Sequence, residues 1–405
     1  MQTDRLCDTY TLNTYARFPV EFVRGAGATL YDTEGKAYVD FTSGIGVSSL
    51  GYGNTAHAQA IAEQAQQLCH TSNLYYTPRV GEAAKLLCEK SGYAGVFFCN
   101  SGAEANEAAI KIARKYSFDR YGEGRNVIVT LTNSFHGRTV TTLAATGQDH
   151  FHQFFMPFTE GFRTVPVGHA PALKEALQSN DVCAVMLEPV QGEGGVYPLD
   201  TRYLFEVEKM CRERDVLIIA DEVQTGVGRT GTFLASHALP IEPQLVTLAK
   251  GLGGGLPIGA VLCSQQTKDV LGRGDHGSTF GGNPVCCAAA CSVMEQLDES
   301  LLDEVKMKGE YMHCEIKTWR LPCMKAVRGA GLMRGIVLDG AVKARRVAEL
   351  CLQKGLVILT AGNNTVRMLP PLVITMDEID QGLRALRLAL EEAAAESEQT
   401  EEKEK

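Results

Sequence analysis

The sequence has 405 residues, more than a single hydrophobic core usually holds, so two or three domains are expected. Hydrophobic residues make up 45% and charged residues 21%, and no apolar run is long enough to span a bilayer, which excludes a membrane span and is ordinary for a globular protein. The formal net charge is −9, but residues 391–405 hold seven Glu and two Lys and carry −5 of it. The remaining −4 does not indicate nucleic acid or an anionic membrane as a partner.

The amino-terminal residues and the cysteines both favour a cytoplasmic location. Residues 1–8 include Asp4, Arg5 and Asp8 and lack an apolar stretch, so they predict neither a secretory signal nor a transit peptide. The thirteen cysteines are odd in number, scattered, and never in the paired spacing of a zinc site. We therefore expect reduced, mostly buried thiols and no metal site.

The first predicted element is a β-hairpin. Two short β-type runs, residues 28–32 and 36–40, are separated by the turn-forming pair Glu34-Gly35. We expect this hairpin, which belongs to an amino-terminal segment of residues 1–49, to pack against a small carboxy-terminal domain.

A long stretch of alternating strands and helices follows the hairpin. The clearest helix begins near Ala105, after which Ala108, Ile112 and Tyr116 recur at helical spacing. The short apolar, β-rich runs are residues 96–99, 126–131, 182–187, 216–220, 245–248 and 258–263. Their alternation with helical patterns predicts a large α/β domain with a mixed, mostly parallel sheet over residues 50–285.

The remaining elements predict a small α+β domain over residues 286–390. After a helical stretch, the predicted elements are a Gly-rich strand at 327–338, a helix at 343–352, strands at 357–359 and 366–369, and a last helix from about residue 377. Residues 391–405 form an acidic tail, which we interpret as a frayed helix end or a solvated tip.

A lysine at the end of a predicted strand is the first candidate for chemistry. Lys250 follows the run 245–248 and precedes a Gly-rich loop at 251–255. Small neighbours leave room for a bulky adduct, and a confined site can lower the pKa of a lysine and make it a Schiff-base nucleophile. Taken alone, a strand-terminal lysine beside a glycine turn is the simpler explanation.

Two acids and a helix start lie at other predicted strand ends. A hydrophobic run delivers Asp221 and Glu222 to the carboxyl edge of the sheet, where ligands bind in open α/β folds. An Asp there can keep a pyridine nitrogen protonated, although a helix cap or a metal-binding pair would look the same. Ser101, Gly102 and Ala103 open the helix after the first run, and its exposed N–H groups can seat a phosphate or be a plain cap.

Three further loops carry aromatic or polar side chains among glycines. Phe135 can stack on a cofactor ring, and Arg138, three residues later, can bind a carboxylate. Glu193 can pair with a substrate-facing arginine, while Ser278 and Thr279 suit anion binding. Each of these stretches, taken alone, is also explained as a turn or a surface loop.

Together these motifs supply the parts that pyridoxal-phosphate (PLP) chemistry needs: an amine, an acid for the ring nitrogen, a phosphate seat, a stacking ring and a substrate arginine. Their order and spacing, over nearly the whole chain, resemble the class III aminotransferases of fold type I. The resemblance implies a PLP-dependent aminotransferase with a large PLP-binding domain and a small domain, active as a homodimer.

The resemblance also implies a role for each site residue. Lys250 is implied to form the Schiff base and then to move the proton, and Asp221 to pair with the pyridine nitrogen. The residues implied to contact the cofactor are Ser101, Gly102, Ala103, Phe135, Asp221, Glu222, Val223, Gln224, Lys250 and Thr279, the last across the subunit interface. The residues implied to bind substrate are Arg138, Ser278, Arg367 and Tyr15, with Glu193 masking Arg367 while an ω-amine donor is bound.

Within the family, residues 70–77, 100–107 and 135–139 are most similar to the N-acetylornithine aminotransferase branch. That branch transfers the terminal amino group of N2-acetyl-L-ornithine to 2-oxoglutarate in arginine biosynthesis. Succinylornithine, ornithine and 4-aminobutyrate remain alternative donors, and a PLP decarboxylase or racemase, or a catalytically dead scaffold relative, remains a different class. One departure lies at residues 50–56, where the family usually has a Gly-His-x-His-Pro stretch.

Overall fold

The structure is a computed structural model and describes residues 2–403. The helices are α1 (Gln2–Tyr10), α2 (Ser43–Gly46), α3 (Thr55–Gln67), α4 (Pro78–Ser91), α5 (Gly102–Tyr121), α6 (Val140–Ala145), α7 (Ala170–Ala176), α8 (Thr201–Glu213), α9 (Pro284–Gln296), α10 (Glu299–Thr318), α11 (Ala344–Gln353) and α12 (Met376–Lys403). Short 3₁₀ turns occupy Asp149–Phe151, Ala235–Ala238 and Lys250–Gly253.

The strands are β1 (Phe22–Ala26), β2 (Thr29–Asp32), β3 (Ala37–Asp40), β4 (Gly95–Cys99), β5 (Val127–Leu131), β6 (Phe162–Val165), β7 (Val182–Leu187), β8 (Val190–Gln191), β9 (Tyr197–Pro198), β10 (Leu217–Asp221), β11 (Leu245–Leu248), β12 (Gly259–Cys263), β13 (Met324–Ala330), β14 (Met333–Leu338), β15 (Leu356–Val357), β16 (Leu359–Ala361) and β17 (Thr365–Met368).

A seven-stranded sheet forms the centre of the molecule. Its strand order is β4-β12-β11-β10-β7-β5-β6, and only β12 runs against the others. Strands β7, β10, β11 and β12 are buried along their whole length, because helices cover both faces of the sheet. The predicted α/β class and the mixed, mostly parallel sheet are therefore confirmed.

The two faces of the sheet can be followed along β10. Leu217 and Ile219 belong to the apolar cluster that includes α5, whereas Ile218 belongs to the cluster that includes α8. Successive side chains of a strand point to opposite faces, so Asp221, at the carboxyl end of the same strand, lies on the α5 side. This alternation decides which of the two predicted acids reaches the functional site.

The carboxy-terminal part contains a second, antiparallel sheet of order β13-β14-β17-β16. The single strand predicted at 327–338 is wrong, because the chain reverses at Gly331, whose φ is +51°, and forms two strands. The strand predicted at 357–359 is likewise two strands, which belong to different sheets: β15 pairs with β3, and β16 pairs with β17. The proposed domain boundaries stay a prediction.

The acidic tail is helical from residue 391 to residue 403, where the described part of the chain ends. Helix α12 runs to Lys403, and ion pairs hold part of it against α11 and the residue that follows it. Glu396 accepts two hydrogen bonds from Arg346, at 2.8 and 2.7 Å, and Glu392 pairs with Lys354. Between residues 2 and 403, no helix is both long enough and apolar enough to cross a membrane.

Candidate active site

A cavity of about 470 Å³ opens at the carboxyl edge of the central sheet. The predicted site residues that line it are Ser101, Gly102, Ala103, Phe135, Arg138, Glu193, Asp221, Val223, Gln224 and Lys250. The predicted site residues outside its lining are Tyr15, Glu222, Ser278, Thr279 and Arg367. The structure thus brings together in one place ten residues that the sequence spreads over about 150 positions.

Lys250 lines the cavity and lies two residues after Leu248, where β11 ends. Its φ of +44° is unusual for a residue with a side chain, so the backbone turns sharply where the lysine enters the cavity. Burial lowers the pKa of the Lys250 amine, and the nearby Glu193 carboxylate offsets this only in part. A lysine with a lowered pKa holds more of the neutral amine, which is the nucleophilic form.

Asp221 is held by two side chains that the sequence analysis missed. Its Oδ2 atom accepts hydrogen bonds from Asn106 Nδ2 and His136 Nδ1, each at 2.8 Å, and its Oδ1 accepts from the Val223 N–H at 3.1 Å. Asn106 belongs to α5, the helix on the same side of the sheet as Asp221. The buried carboxylate is therefore fixed in position by three neighbours and faces the cavity.

The start of α5 forms another wall. The Ser101 hydroxyl accepts from the Glu104 N–H at 3.2 Å and so caps the helix, and the Glu104 carboxylate turns back to accept from the Asn100 N–H at 3.0 Å. A Cβ at Gly102 would lie 2.7 Å from the side chain of Val223. Only glycine therefore lets the start of α5 lie this close to Val223 at the wall of the cavity. Free N–H groups at a helix start favour an anion such as a phosphate.

Arg138 lies exposed at the rim of the cavity. Its guanidinium carbon is 4.4 Å from the centre of the Phe151 ring and 5.8 Å from that of Phe135. Among residues 2–403, no carboxylate forms an ion pair with it. This side chain is consequently available to bind a carboxylate from a ligand.

Arg367 is buried in β17 and already paired. Its NH1 donates to Glu193 Oε1 at 2.7 Å and to Gln224 Oε1 at 3.1 Å, while the Gln224 amide also lies 3.5 Å from the same glutamate. Burial pushes the pKa of Glu193 up, but Arg367, Lys250 and Gln224 together outweigh it and keep that pKa below its ordinary value. Arg367 does not line the cavity itself, but it contacts Glu193 and Gln224, which do.

Glu188, which follows β7, also lines the cavity and was not predicted. Its Oε1 accepts from the Phe135 N–H at 2.9 Å, and its Oε2 accepts from the Gly192 N–H at 3.1 Å. Burial raises the pKa of Glu188 to about 7; the nearby His136 opposes this rise and Asp221 adds to it. The sequence did contain a signal, since Glu188 is an acid placed directly after a strand that is buried along its whole length.

The structure does not bring Glu222 to the cavity. Its carboxylate turns away and accepts from the Ser236 N–H at 2.9 Å, the Ser236 hydroxyl at 2.6 Å and the Ala235 N–H. The reason is the alternation of side chains at the strand end, which sends Glu222 to the side opposite Asp221. Its expected contact with the cofactor is corrected to a contact with the 3₁₀ turn Ala235–Ala238.

Three predicted residues lie outside the lining of the cavity. The Ser278 hydroxyl accepts from Asn100 Nδ2 at 3.2 Å and so adjoins the phosphate seat without lining the cavity. Thr279 is exposed. Tyr15 is 71% exposed and makes no contact with the cavity in this chain.

The family model of the class III aminotransferases ("Aminotransferase class-III") matches residues 10–390. The chain belongs to this family. Acetylornithine aminotransferase from Haemophilus ducreyi is 48% identical over 391 residues, which cover 96% of this chain and 99% of that protein. Acetylornithine aminotransferase from Caldanaerobacter subterraneus is 45% identical and covers 95% of this chain and 98% of that protein.

Solved structures agree with the family. Ornithine aminotransferase from Toxoplasma gondii, crystallised with partial occupancy of PLP in its active site, superposes with a TM-score of 0.94 at 33% identity, covering 98% of this chain and 95% of that chain. N-acetylornithine aminotransferase from Stenotrophomonas maltophilia gives a TM-score of 0.84 at 34% identity, covering 96% and 99%.

The cavity suits pyridoxal phosphate, the cofactor of this family. It offers Lys250 as an amine of lowered pKa, the start of α5 as an anion seat, and Asp221 as a buried carboxylate. The glycine at position 102 keeps the anion seat clear, since a side chain there would collide with Val223. The chain is a PLP-dependent aminotransferase, as its sequence resemblance predicted.

Proposed function

We propose that this enzyme transfers the terminal amino group of N2-acetyl-L-ornithine to 2-oxoglutarate, giving N-acetylglutamate 5-semialdehyde and glutamate, a step of arginine biosynthesis. The observation that carries the proposal is the high identity to relatives of one name over nearly their whole length. Relatives named acetylornithine aminotransferase share 48% and 45% identity with this chain, and the matches cover 99% and 98% of those proteins.

Five of the residues that line the cavity would act on the cofactor and on the reacting carbon in this proposal. Pyridoxal phosphate supplies an electron sink for the charge that develops at the reacting carbon of the substrate. Lys250 would hold the cofactor covalently and, once released, carry the proton to and from that carbon with its Nζ. The carboxylate of Asp221 would pair with the ring nitrogen, and Phe135, Val223 and Gln224 would contact the ring.

The phosphate of the cofactor would be bound by the residues at the start of α5. Ser101, Gly102 and Ala103 provide backbone N–H groups and the positive end of a 20-residue helix. The capping bond, which the Glu104 N–H donates to the Ser101 hydroxyl, fixes the shape of this helix end.

The two arginines would divide the substrates between them. Arg138, exposed at the rim, would bind the α-carboxylate of acetylornithine, with help from Tyr15 and Ser278. Arg367 would bind the α-carboxylate of 2-oxoglutarate or glutamate, and Glu193 would cover it while the ω-amine donor is bound. The Glu193–Arg367 pair at 2.7 Å supports this covered arrangement.

We further propose that the enzyme is a homodimer in which Thr279 reaches the phosphate of the partner's cofactor. Support comes from large apolar side chains exposed on the adjoining loops: Leu74, Tyr75, Tyr76 and Phe280 are all more than half exposed. The Asn73 amide ties these loops together by donating to the carbonyls of residues 278 and 281, at 3.1 and 2.7 Å. A second copy that covers this patch would lie beside Thr279.

The cytoplasm is the proposed location. The proposal is supported by the thirteen cysteines, all of which are free thiols within residues 2–403, as expected of a reducing compartment.

A single-turnover experiment tests the donor. The cofactor-loaded enzyme is mixed separately with N-acetylornithine, N-succinylornithine, ornithine and 4-aminobutyrate, and the absorbance of the bound cofactor is followed. We expect the fastest change with N-acetylornithine. If another amine reacts faster, the enzyme remains an aminotransferase but the proposed donor is wrong, and a protein that takes up no cofactor would be the inactive relative.

A further inference from the structure

The carboxylate of Glu188 joins two loops that are more than fifty residues apart in the sequence. One oxygen accepts from the Phe135 N–H at 2.9 Å and the other from the Gly192 N–H at 3.1 Å. The side chain is only 5% exposed, so water cannot replace the bond that either N–H would lose.

The first of these loops carries the cofactor side of the cavity. Phe135 is the ring-stacking candidate, and the next residue, His136, donates to Asp221 at 2.8 Å. A shift of the Phe135 backbone would therefore move both the aromatic ring and a hydrogen-bond donor of Asp221.

The second loop carries the substrate side of the cavity. Gly192 precedes Glu193, which pairs with Arg367 at 2.7 Å. A Cβ at position 192 would lie 2.2 Å from Gln224 Oε1, so this backbone runs directly against the amide that also binds Arg367. A shift of Gly192 would therefore change how Glu193 meets its arginine.

Only a carboxylate serves both loops. An amide has one acceptor oxygen, and its NH2 group cannot accept from a backbone N–H. A second buried acid near Asp221 is unfavourable on its own, because like charges repel and burial opposes ionisation. Glutamine would avoid that cost but would release one of the two loops, so the need to hold both loops accounts for the acid.

We propose that Glu188 is a positioning residue for the transamination, whose two oxygens fix the Phe135 loop and the Glu193 loop relative to each other. The proposal rests on the proposed roles of Phe135 and Glu193. Because neither role involves the identity of the donor, the proposal can be tested apart from the assignment of N-acetylornithine.

The test is Glu188→Gln in the cofactor-loaded enzyme, measured by hydrogen–deuterium exchange of peptides that cover residues 133–139 and 189–196. The substitution keeps the size of the side chain and one acceptor oxygen. We expect exchange in at least one of the two segments to become faster by about tenfold, the effect of one lost buried hydrogen bond, while other segments keep the wild-type rates.

The rates of the two half-reactions should depend on which of the two segments is released. Release of 133–139 should weaken cofactor binding and slow both half-reactions equally, whereas release of 189–196 should slow the ω-amine half-reaction more than the glutamate half-reaction. Unchanged exchange in both segments, or kinetics that do not match the released segment, would overturn the proposal. A wild-type enzyme that ignores N-acetylornithine would reject the donor and leave the exchange result valid.

Asp40→Asn is the matched control. Asp40 is also a buried carboxylate that binds two backbone N–H groups with its two oxygens, from Thr42 at 2.7 Å and Ser43 at 3.0 Å, but it does not line the cavity. We expect Asp40→Asn to lower the melting temperature without faster exchange in 133–139 or 189–196. If both variants release the same segments, Glu188 has only a structural role.

Discussion

The two sides of the cavity differ in how far the chain completes them by itself. On the cofactor side, Asp221 receives hydrogen bonds from Asn106 and His136 and is shielded from solvent. On the substrate side, Arg138 is exposed, and Arg367 is occupied by a glutamate of the same chain. Folding alone thus fixes the proposed cofactor side. On the proposed substrate side, Arg138 is left free for the carboxylate of a ligand, and Arg367 must exchange Glu193 for such a carboxylate before it can bind substrate.

This difference matches the demands of a reaction with two successive substrates. A cofactor that stays bound through both halves is served best by a fixed site, because preorganised groups cost no rearrangement during the reaction. Two substrates with different ends need at least one group that changes partner. The four predictions that follow test how sharply the two sides are separated, beginning with the largest effect.

Lys250→Ala should abolish most of the turnover on either substrate. The proton transfer would lose its base, a loss of about 10³-fold or more, while Asp221 and the start of α5 should still hold PLP noncovalently. Steady-state rates and borohydride fixation of the cofactor measure the two effects. The exposed Lys85 provides the control Lys85→Ala, and a Lys250→Ala enzyme with near-normal rates would show that another group is the base.

Glu193→Ala should separate the two half-reactions. Arg367 would be left uncovered in a buried site, so the ω-amine half-reaction should slow by about tenfold or more, while the glutamate half-reaction should change little. Stopped-flow measurement of each half-reaction decides the point, with the exposed Glu63 giving the control Glu63→Ala. Equal losses in both halves would place Glu193 on the cofactor side instead.

Asn106→Leu should weaken the cofactor side alone. Leucine has a similar volume but cannot donate to Asp221 or to the His136 carbonyl, at 2.8 and 2.7 Å in the native chain. We expect the dissociation constant of PLP to rise by about tenfold, with the ratio of the two half-reactions unchanged. A changed ratio with unchanged PLP affinity would contradict the separation of the two sides.

The smallest expected effect concerns pH. Burial lowers the pKa of Lys250, so the neutral amine of the cofactor-free enzyme should appear at lower pH than in an ordinary lysine. The rate of covalent PLP uptake should therefore rise with pH and level off at a lower pH than the same reaction of Nα-acetyl-lysine does. Identical pH profiles for the protein and for Nα-acetyl-lysine would mean that the folded site does not change the pKa of the lysine.

The buried strands of the fold were predicted well, because burial requires apolar residues that can be recognised in the sequence. Strands β7 and β11 have the predicted bounds, since a strand covered on both faces is a continuous apolar run. The strand β6 was missed because it lies at the sheet edge and mixes polar and apolar residues. The turn at Gly331 was missed because a glycine inside a β-type run does not reveal its φ.

The site was predictable where one motif holds both the residue and the reason for it. Ser101 and Glu104 lie three positions apart, so the cap could be read directly. The partners of Asp221 could not be predicted from the sequence. Asn106 is 115 positions away, and its pairing with Asp221 depends on how α5 packs on the sheet. Glu222 was misassigned because it stands one position beyond the last strand residue, where the alternation of faces still decides its direction.

The pairing of β3 with β15 constrains how the chain is made. Val39 lies opposite Leu356, so an early strand obtains its neighbour only 317 positions later in the chain. During synthesis the hairpin of β2 and β3 leaves the ribosome long before β15, so the edge of β3 stays without this partner until the later strand has emerged. An unpaired strand edge is a site for aggregation, so we expect the nascent chain to be most prone to aggregation at this edge until β15 pairs with it.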